Sequence, residues 1–121
     1  MPNLSFTFVF IFNLLLFCTV ANGQVAIGNY TLNVQDPARG NRTIETAVYY
    51  PALSSGTATA VDTGQYPVIV FGHGFAMDWN AYQNIWEDIV PQGYIMVFPK
   101  TESGLFSVNH QEFAWDLQFL V

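Results

Sequence analysis

The segment that most constrains the fold is a short apolar run that ends in a glycine turn. Residues 67–71 are a proline followed by four large apolar side chains, and the motif Gly72-His73-Gly74-Phe75 comes directly after them. An apolar run of this length, bounded by glycines, predicts a buried strand. A patterned helix begins near Asp78, so the motif lies between a strand and a helix. Backbone N–H groups in such a turn can point at one place and stabilise a developing negative charge there.

Two runs before this turn predict an antiparallel pair of strands. Residues 28–35 alternate between apolar and polar side chains, which is typical of a half-buried strand. Residues 43–50 resume strand character and stop at Pro51, and the turn-rich residues 36–41 join the two runs. Residues 54–65 are mostly small and have no period, which predicts a surface loop.

The part after the turn predicts a helix, a strand and a second helix. Residues 79–90 carry apolar side chains at helical spacing, with Asp78 or Asn80 as the N-cap and Gly93 near the end. Residues 94–98 predict another buried strand, which Pro99 terminates.

A second helix is predicted to open at Asn109. Glu112 follows three residues later, in the spacing of a capping box. The apolar face of this helix is predicted to consist of Phe113, Leu117, Leu120 and Val121.

These elements predict an α/β fold with a mixed sheet. Two apolar strands joined through a helix favour a parallel pair with a crossover connection, and the earlier hairpin adds antiparallel strands. A sheet of so few strands would leave apolar surface uncovered on its parallel members. We therefore expect residues 24–121 to be the N-terminal part of a larger domain, with antiparallel hairpin followed by β-α-β-α.

The N-terminal residues predict a secretory signal. Residues 6–20 are almost unbroken apolar sequence, and small residues follow them up to Gly23. This pattern predicts a signal peptide over residues 1–23 and a secreted chain that begins at Gln24, with no stable membrane anchor. The alternative is an apolar segment that is retained as an anchor. Cys18 is the only cysteine, so the mature chain has no disulfide.

The charge balance and the residue motifs exclude several classes of partner. Three basic residues against nine acidic ones give a net charge of −6, and no basic patch is present, so a nucleic acid is not an expected partner. No cluster of His, Cys and Asp has metal spacing, and no glycine pattern fits a phosphate loop or dinucleotide site. We expect neither a metal nor a cofactor. Asn29 and Asn41 each begin an N-x-Thr sequon, which makes both candidate glycosylation sites.

The order of elements and the turn motif resemble the N-terminal half of a secreted α/β-hydrolase. The likeness is greatest to dienelactone-hydrolase-like and cutinase-like esterases, including the polyester hydrolases and chlorophyllase-like enzymes. Residues 66–79 and the phrase Gln92-Gly93-Tyr94-Ile95-Met96-Val97 carry it, and it extends over residues 28–121. The resemblance implies hydrolysis of carboxylic esters, of small molecules or of polymers, through an acyl-enzyme.

The resemblance also assigns roles to the turn. In this family the turn after the third strand supplies one oxyanion-hole N–H, which maps onto Phe75. Gly72 and Gly74 allow a close backbone approach that a Cβ would block. His73 is expected to brace the turn through hydrogen bonds and not to be the catalytic base, because the family's base lies near the far end of the chain.

An apolar substrate wall is expected next to the oxyanion donor. The resemblance places Phe75, Met77 and Trp79 there. The alternative for Met77 and Trp79 is a purely structural role, in which both pack at the start of the helix.

The nucleophile that such a turn serves is absent from the sequence. The family carries it on a G-x-S-x-G motif after the next strand, with the acid and the histidine later still. Ser107, His110 and Asp116 are the nearest substitute, but His110 and Asp116 are six positions apart on one predicted helix and face different directions. We therefore expect this chain alone to be inactive. The alternative function is that of a truncated, non-catalytic secreted protein that binds an apolar ligand or a partner through its uncovered sheet.

Overall fold

The computed structural model describes residues 24–121, so the predicted signal peptide and Cys18 lie outside the described residues. The described part contains β1 (Ala26–Asp36), β2 (Arg42–Ala52), β3 (Gly56–Thr57), β4 (Val68–Val70), α1 (Gln83–Ile89), β5 (Ile95–Pro99) and α2 (His110–Phe119). Within residues 24–121, no helix has both the length and the apolar character needed to cross a bilayer.

The strands form one mixed sheet of five, in the order β3-β1-β2-β5-β4. β1 and β2 pair antiparallel along their full length, from Ala26 opposite Ala52 to Asp36 opposite Arg42. β2 and β5 are also antiparallel, whereas β4 and β5 are parallel and are connected through α1. This topology confirms the predicted fold class, a hairpin followed by a parallel β-α-β-α unit.

The sheet departs from the prediction at its first edge. β2 continues through Pro51 to Ala52, although the proline was expected to stop it. Pro51 lies beyond Tyr49, the last residue of β2 that pairs with β5, so β2 has one fewer neighbour there and tolerates a residue without an N–H. Residues 54–65 are not a loop throughout, because β3 pairs in parallel with β1 and Val61 forms a bridge to Ala52.

β4 is less buried than its sequence predicted. It is the edge strand of the described sheet, and Val68 is 56% exposed while Ile69 and Val70 are half-buried. Apolar runs are usually fully covered only when a strand has neighbours on both sides and layers on both faces. The uncovered surface agrees with the expectation that this sheet is part of a larger one.

The helical connection after the turn is close to the prediction. A 3₁₀ turn at Trp79–Tyr82 leads into α1, and the Asp78 carboxylate accepts a hydrogen bond from the Trp79 N–H at 2.8 Å. Gly93, with φ of +93°, ends the segment in the left-handed conformation that glycine adopts without steric cost. Asp78, and not Asn80, is therefore the cap.

The main core lies between α1 and one face of the sheet. Its centre is the stacked pair Tyr49 and Trp86, whose ring centroids are 4.2 Å apart, with Phe98 packed edge-on against both rings. Burial raises the pKa of Tyr49 to about 12. Each such side chain contributes about 2–3 kcal/mol through removal of apolar surface from water, so this cluster holds α1 on the sheet.

α2 begins as predicted but is stabilised differently. The Asn109 side chain accepts hydrogen bonds from the N–H groups of Gln111 and Glu112 at 3.0 and 3.2 Å. The predicted capping box is wrong, since the Asn109 N–H donates to Glu102 and the Glu112 carboxylate pairs with Arg39. A guanidinium is a stronger partner for a carboxylate than a neutral amide is. Val121, predicted on the apolar face, lies beyond the helix and is 98% exposed.

Candidate active-site turn

The predicted oxyanion turn follows directly from the edge strand. The Phe71 N–H donates to the Val97 carbonyl at 2.8 Å, which extends the pairing of β4 with β5 by one residue. The chain then leaves the sheet and closes a β-turn over residues 74–77, in which the Met77 N–H donates to the Gly74 carbonyl at 3.1 Å. Ala76 takes the third turn position with φ of +58°, as in a type II turn, where glycine is the usual residue.

Phe75 occupies the second position of this turn and projects outward. Its side chain is 64% exposed. Within residues 24–121, its N–H donates to no other group. The turn therefore carries a backbone donor without a partner in the described residues, next to an exposed aromatic ring.

His73 lies under the turn and is buried. Its Nε2 is 2.8 Å from the Thr101 carbonyl oxygen and its Nδ1 is 3.1 Å from the Gly74 carbonyl oxygen. The Phe113 ring of α2 lies against the imidazole, with 4.5 Å between the ring centroids. A backbone carbonyl oxygen therefore lies next to each ring nitrogen, and the neutral imidazole donates its single N–H to one of the two.

Two glycines of the motif sit where neighbouring side chains approach closely. A Cβ on Gly72 would lie 3.0 Å from Leu117 Cδ1, and a Cβ on Gly74 would lie 3.0 Å from the Tyr82 hydroxyl. Real side chains rarely make contacts this short, so the glycines allow α2 and Tyr82 to pack directly on the turn.

Tyr82 is a contact of the turn that the sequence pattern did not reveal, because its ring fits the apolar stripe of the helix. Its hydroxyl accepts the Gly74 N–H at 2.7 Å and donates to Met77 Sδ at 3.3 Å. The sequence does offer one indication of this contact: a tyrosine within an apolar stripe usually finds a hydrogen-bond partner for its hydroxyl.

Removing the Tyr82 hydroxyl is expected to weaken the fold slightly. In Tyr82→Phe the Gly74 N–H loses its acceptor, and we expect the free energy of unfolding to fall by about 1 kcal/mol. Chemical denaturation of the full-length protein, meaning the natural protein that contains residues 24–121, measures this change. Tyr94→Phe is the matched control, because the Tyr94 hydroxyl makes no hydrogen bond within residues 24–121. Equal effects of the two changes would contradict the role given to Tyr82.

The structure separates the three residues predicted to form a substrate wall. Phe75 and Met77 are exposed on the surface of the turn. Trp79 packs into the core, with its ring centroid 6.0 Å from Tyr49 and 5.7 Å from Trp86. His110 at the start of α2 joins the exposed side, with its ring 5.7 Å from that of Phe75.

A second cluster of chemistry-bearing residues joins the hairpin to α2. We call it the ion-pair network; its members are Asp36, Arg39, Arg42, Glu102, Glu112 and Asp116. Its centre is Asp116, which is 0% exposed. Arg42 donates to both of its carboxylate oxygens at 2.9 and 2.8 Å, and Arg39 Nη2 lies 2.7 Å from Oδ1. The Thr101 hydroxyl adds a hydrogen bond to Oδ2 at 2.7 Å.

This network determines the charge state of Asp116. Burial by itself opposes ionisation, but the hydrogen bonds from Arg42 and Thr101, together with the close Arg39 guanidinium, outweigh it and lower the pKa of the Asp116 carboxyl below its usual value. In turn, the hydrogen bond to Asp116 is the largest cause that raises the pKa of Arg42. The pair is therefore fully ionised at neutral pH.

A carboxyl whose pKa is lowered by folding makes stability depend on pH. The unfolded chain releases this proton at a pKa of about 3.9, so the contribution of Asp116 is present above about pH 4 and is lost as the pH falls through the lower folded pKa. Thermal unfolding between pH 7 and pH 2 should show the melting temperature falling on the acid side, and less steeply in Asp116→Asn. The same acid slope in both proteins would contradict this assignment.

The alternative catalytic set does not assemble. Ser107 and His110 are exposed, whereas both oxygens of Asp116 are occupied by the two arginines and Thr101. Asp116 therefore has no free oxygen to orient His110. Within residues 24–121 no three His, Cys, Asp or Glu side chains come together as metal ligands.

The two sequons differ in environment. Asn29 lies in β1 between two strands, and its side chain accepts a hydrogen bond from the Thr57 hydroxyl at 3.1 Å. Asn41 is exposed at the hairpin turn, with φ of +60°.

Two grooves of the described part lie away from the turn. One, of about 710 Å³, lies between the hairpin tip and α2 and is lined by Asp36, Pro37, Ala38, Arg39, Trp115, Gln118 and Phe119. Another, of about 500 Å³, lies beside Tyr49 and Trp86.

Comparison with known proteins agrees with the fold. A family model described as chlorophyllase matches residues 22–117. Among solved structures, the chain is similar to the ferulic acid esterase from Streptomyces cinnamoneus, with 18% identity and a TM-score of 0.55 over 64% of this chain and 34% of that one. The chain thus spans about a third of the length of that esterase. No curated protein sequence matches it. The structural likeness supports the partial α/β-hydrolase fold.

Proposed function

This chain belongs to the chlorophyllase family, and on that basis we propose that it is the N-terminal part of a secreted carboxylic-ester hydrolase. In this proposal the turn at residues 72–77 supplies one donor of the oxyanion hole. The observation that carries it is the Phe75 N–H, which is left without an acceptor in residues 24–121, at the end of β4 and beside an exposed aromatic ring.

The position of β4 supports the location of the missing catalytic group. β4 has β5 on one side, and its other edge is unpaired in the described residues. A further parallel strand added there would end at the same edge of the sheet as β4, because parallel strands share their direction. A serine on the turn after that strand would stand beside Phe75. We place the serine, the second oxyanion donor, the acid and the histidine beyond Val121.

The chemistry divides between the two parts. The serine attacks the ester carbonyl carbon, the alcohol leaves after proton transfer from the histidine, and water hydrolyses the acyl-enzyme. Negative charge builds on the carbonyl oxygen in both steps, and each fixed N–H stabilises it by about 3 kcal/mol. Phe75 and Met77 form the exposed wall against which an apolar acyl or aromatic group packs, with Trp79 behind them in the core. His73 braces the turn from below.

Ester turnover by the full-length protein tests the proposal. The substrate is p-nitrophenyl butyrate, and a fluorophosphonate should stop turnover and add its mass to a peptide C-terminal to Val121. Residues 24–121 expressed alone are the control and should show neither turnover nor labelling. Labelling within residues 24–121, or turnover by that piece, would refute the division of the site.

A second candidate function rests on the uncovered sheet surface. Leu32 and Val68 are 43% and 56% exposed. A short non-catalytic form would use such surface to bind an apolar ligand or partner. The intact mass of the natural protein after deglycosylation separates the two functions. A mass well above that of residues 24–121 favours the esterase, whereas a mass equal to that of this piece favours the binding role.

Secretion and glycosylation are part of the same proposal. The signal peptide is removed after Gly23, so sequencing of the natural protein should begin at Gln24. Asn41 is the more accessible acceptor because it is exposed at a turn, whereas the Asn29 side chain is hydrogen-bonded within the sheet. A glycan found on Asn29 alone would contradict this ranking.

A further inference from the structure

The oxyanion turn has few internal contacts that could keep its shape. Residues 74–77 share one hydrogen bond, from Met77 N–H to the Gly74 carbonyl, and Ala76 is held in a left-handed conformation that alanine disfavours. The position of the Phe75 N–H therefore depends on groups outside the turn. Tyr82 supplies one such contact, on the side of α1.

The second external contact comes from Thr101, in the loop after β5. Its carbonyl oxygen lies 2.8 Å from His73 Nε2, and the same imidazole reaches the Gly74 carbonyl through Nδ1. Thr101 thus meets the turn through its backbone. The Thr101 hydroxyl donates to Asp116 Oδ2 at 2.7 Å.

Asp116 is in turn held in place by the hairpin. Arg42 donates to both carboxylate oxygens, and Arg39 Nη2 lies 2.7 Å from Oδ1. The carboxylate is fully buried, so its orientation is set by these partners. The neighbouring helix positions Phe113 and Leu117 also pack on His73 and Gly72, which ties the placement of α2 to the same turn.

A continuous chain of contacts therefore runs from the hairpin arginines to the turn. We propose that Asp116 and Thr101 are positioning residues for the Phe75 N–H, and that they act through His73. This role rests on the proposed esterase function. It adds to that function a role for two residues that do not touch substrate. Without this role, the buried Asp116 would contribute to stability alone.

Thr101→Val tests this link with little disturbance of the ion pairs. Valine has nearly the same shape as threonine but cannot donate to Asp116, whose two arginine partners remain. Thr101→Ser keeps the hydroxyl and is the matched control. With p-nitrophenyl butyrate and the full-length protein, we expect Thr101→Val to lower kcat about tenfold or more with KM unchanged, because small misplacement of a fixed donor is costly. Thr101→Ser should retain kcat within about twofold, because it keeps the hydroxyl that donates to Asp116.

Two results would overturn the proposal. One is an unchanged kcat in Thr101→Val. The other is a loss of activity that matches the loss of folded protein and is equal in the valine and serine variants, since that would be a structural effect only.

Amide hydrogen exchange at Phe75 provides a readout that needs no activity. We expect faster exchange in Thr101→Val than in the wild type and in Thr101→Ser. If the wild-type protein hydrolyses no ester, the proposed function fails, and the exchange rates then decide whether Thr101 and Asp116 hold the turn. Equal exchange rates in all three proteins would refute the positioning role even in an active enzyme.

Discussion

Replacing Phe75 by proline is expected to lower kcat of the full-length protein by about 10²–10³-fold, the usual cost of removing one oxyanion donor. Proline has no backbone N–H, so the change removes the proposed donor itself. The turn accepts it, because Phe75 is the second residue of a turn with the type II pattern, where proline is common. The Phe75 N–H makes no hydrogen bond within residues 24–121, so the fold loses none.

Phe75→Ala is the matched control for the proline variant. It removes the exposed ring but keeps the N–H, so we expect its main effect on KM. Steady-state kinetics with a neutral ester, together with the melting temperature of each variant, separates the two. A proline variant that stays folded and keeps the wild-type kcat would show that Phe75 is not an oxyanion donor.

Replacing Asp116 by asparagine is expected to reduce the free energy of unfolding by about 3 kcal/mol or more, the usual result when one partner of a buried ion pair is removed. Asparagine matches the shape of the carboxylate but leaves Arg39 and Arg42 without their shared counter-charge. Denaturant unfolding of the full-length protein, followed by circular dichroism, measures the loss.

Asp88→Asn provides the comparison, because Asp88 is an exposed residue of α1 and undergoes the same change of charge. Surface changes of this kind stay within about 0.5 kcal/mol. If Asp116→Asn is no more destabilising than Asp88→Asn, the ion-pair network contributes little to the fold.

Much of the architecture could be predicted from local sequence because the signals are local. Asp78 caps the 3₁₀ turn that leads into α1, Asn109 caps α2, and the hairpin and the parallel pair follow the apolar patterns of their strands. The exposure of Val68 could not be predicted from its own run of residues. Whether an apolar strand is covered depends on what lies on either side of it in the sheet.

The candidate site was predicted unevenly for a related reason. Phe75 and His73 follow from one short motif, and the structure places them together. The buried ion-pair role of Asp116 was not predicted, because a carboxylate in a helix usually faces solvent and its partner Arg42 is 74 residues away along the chain. A signal was present in the composition. The sequence has only three basic residues, and two of them, Arg39 and Arg42, lie close together at the hairpin turn, which indicates that they share a carboxylate partner.

The long sequence separation within the ion-pair network has a kinetic consequence. The β1–β2 hairpin is a local element, but its arginines can meet Asp116 only after the chain between them has folded and α2 has docked. We expect these bonds to form after the folding transition state, so that Asp116→Asn accelerates unfolding and leaves the folding rate nearly unchanged. The network would then set how long the native state lasts, and with it the resistance of the protein to proteolysis.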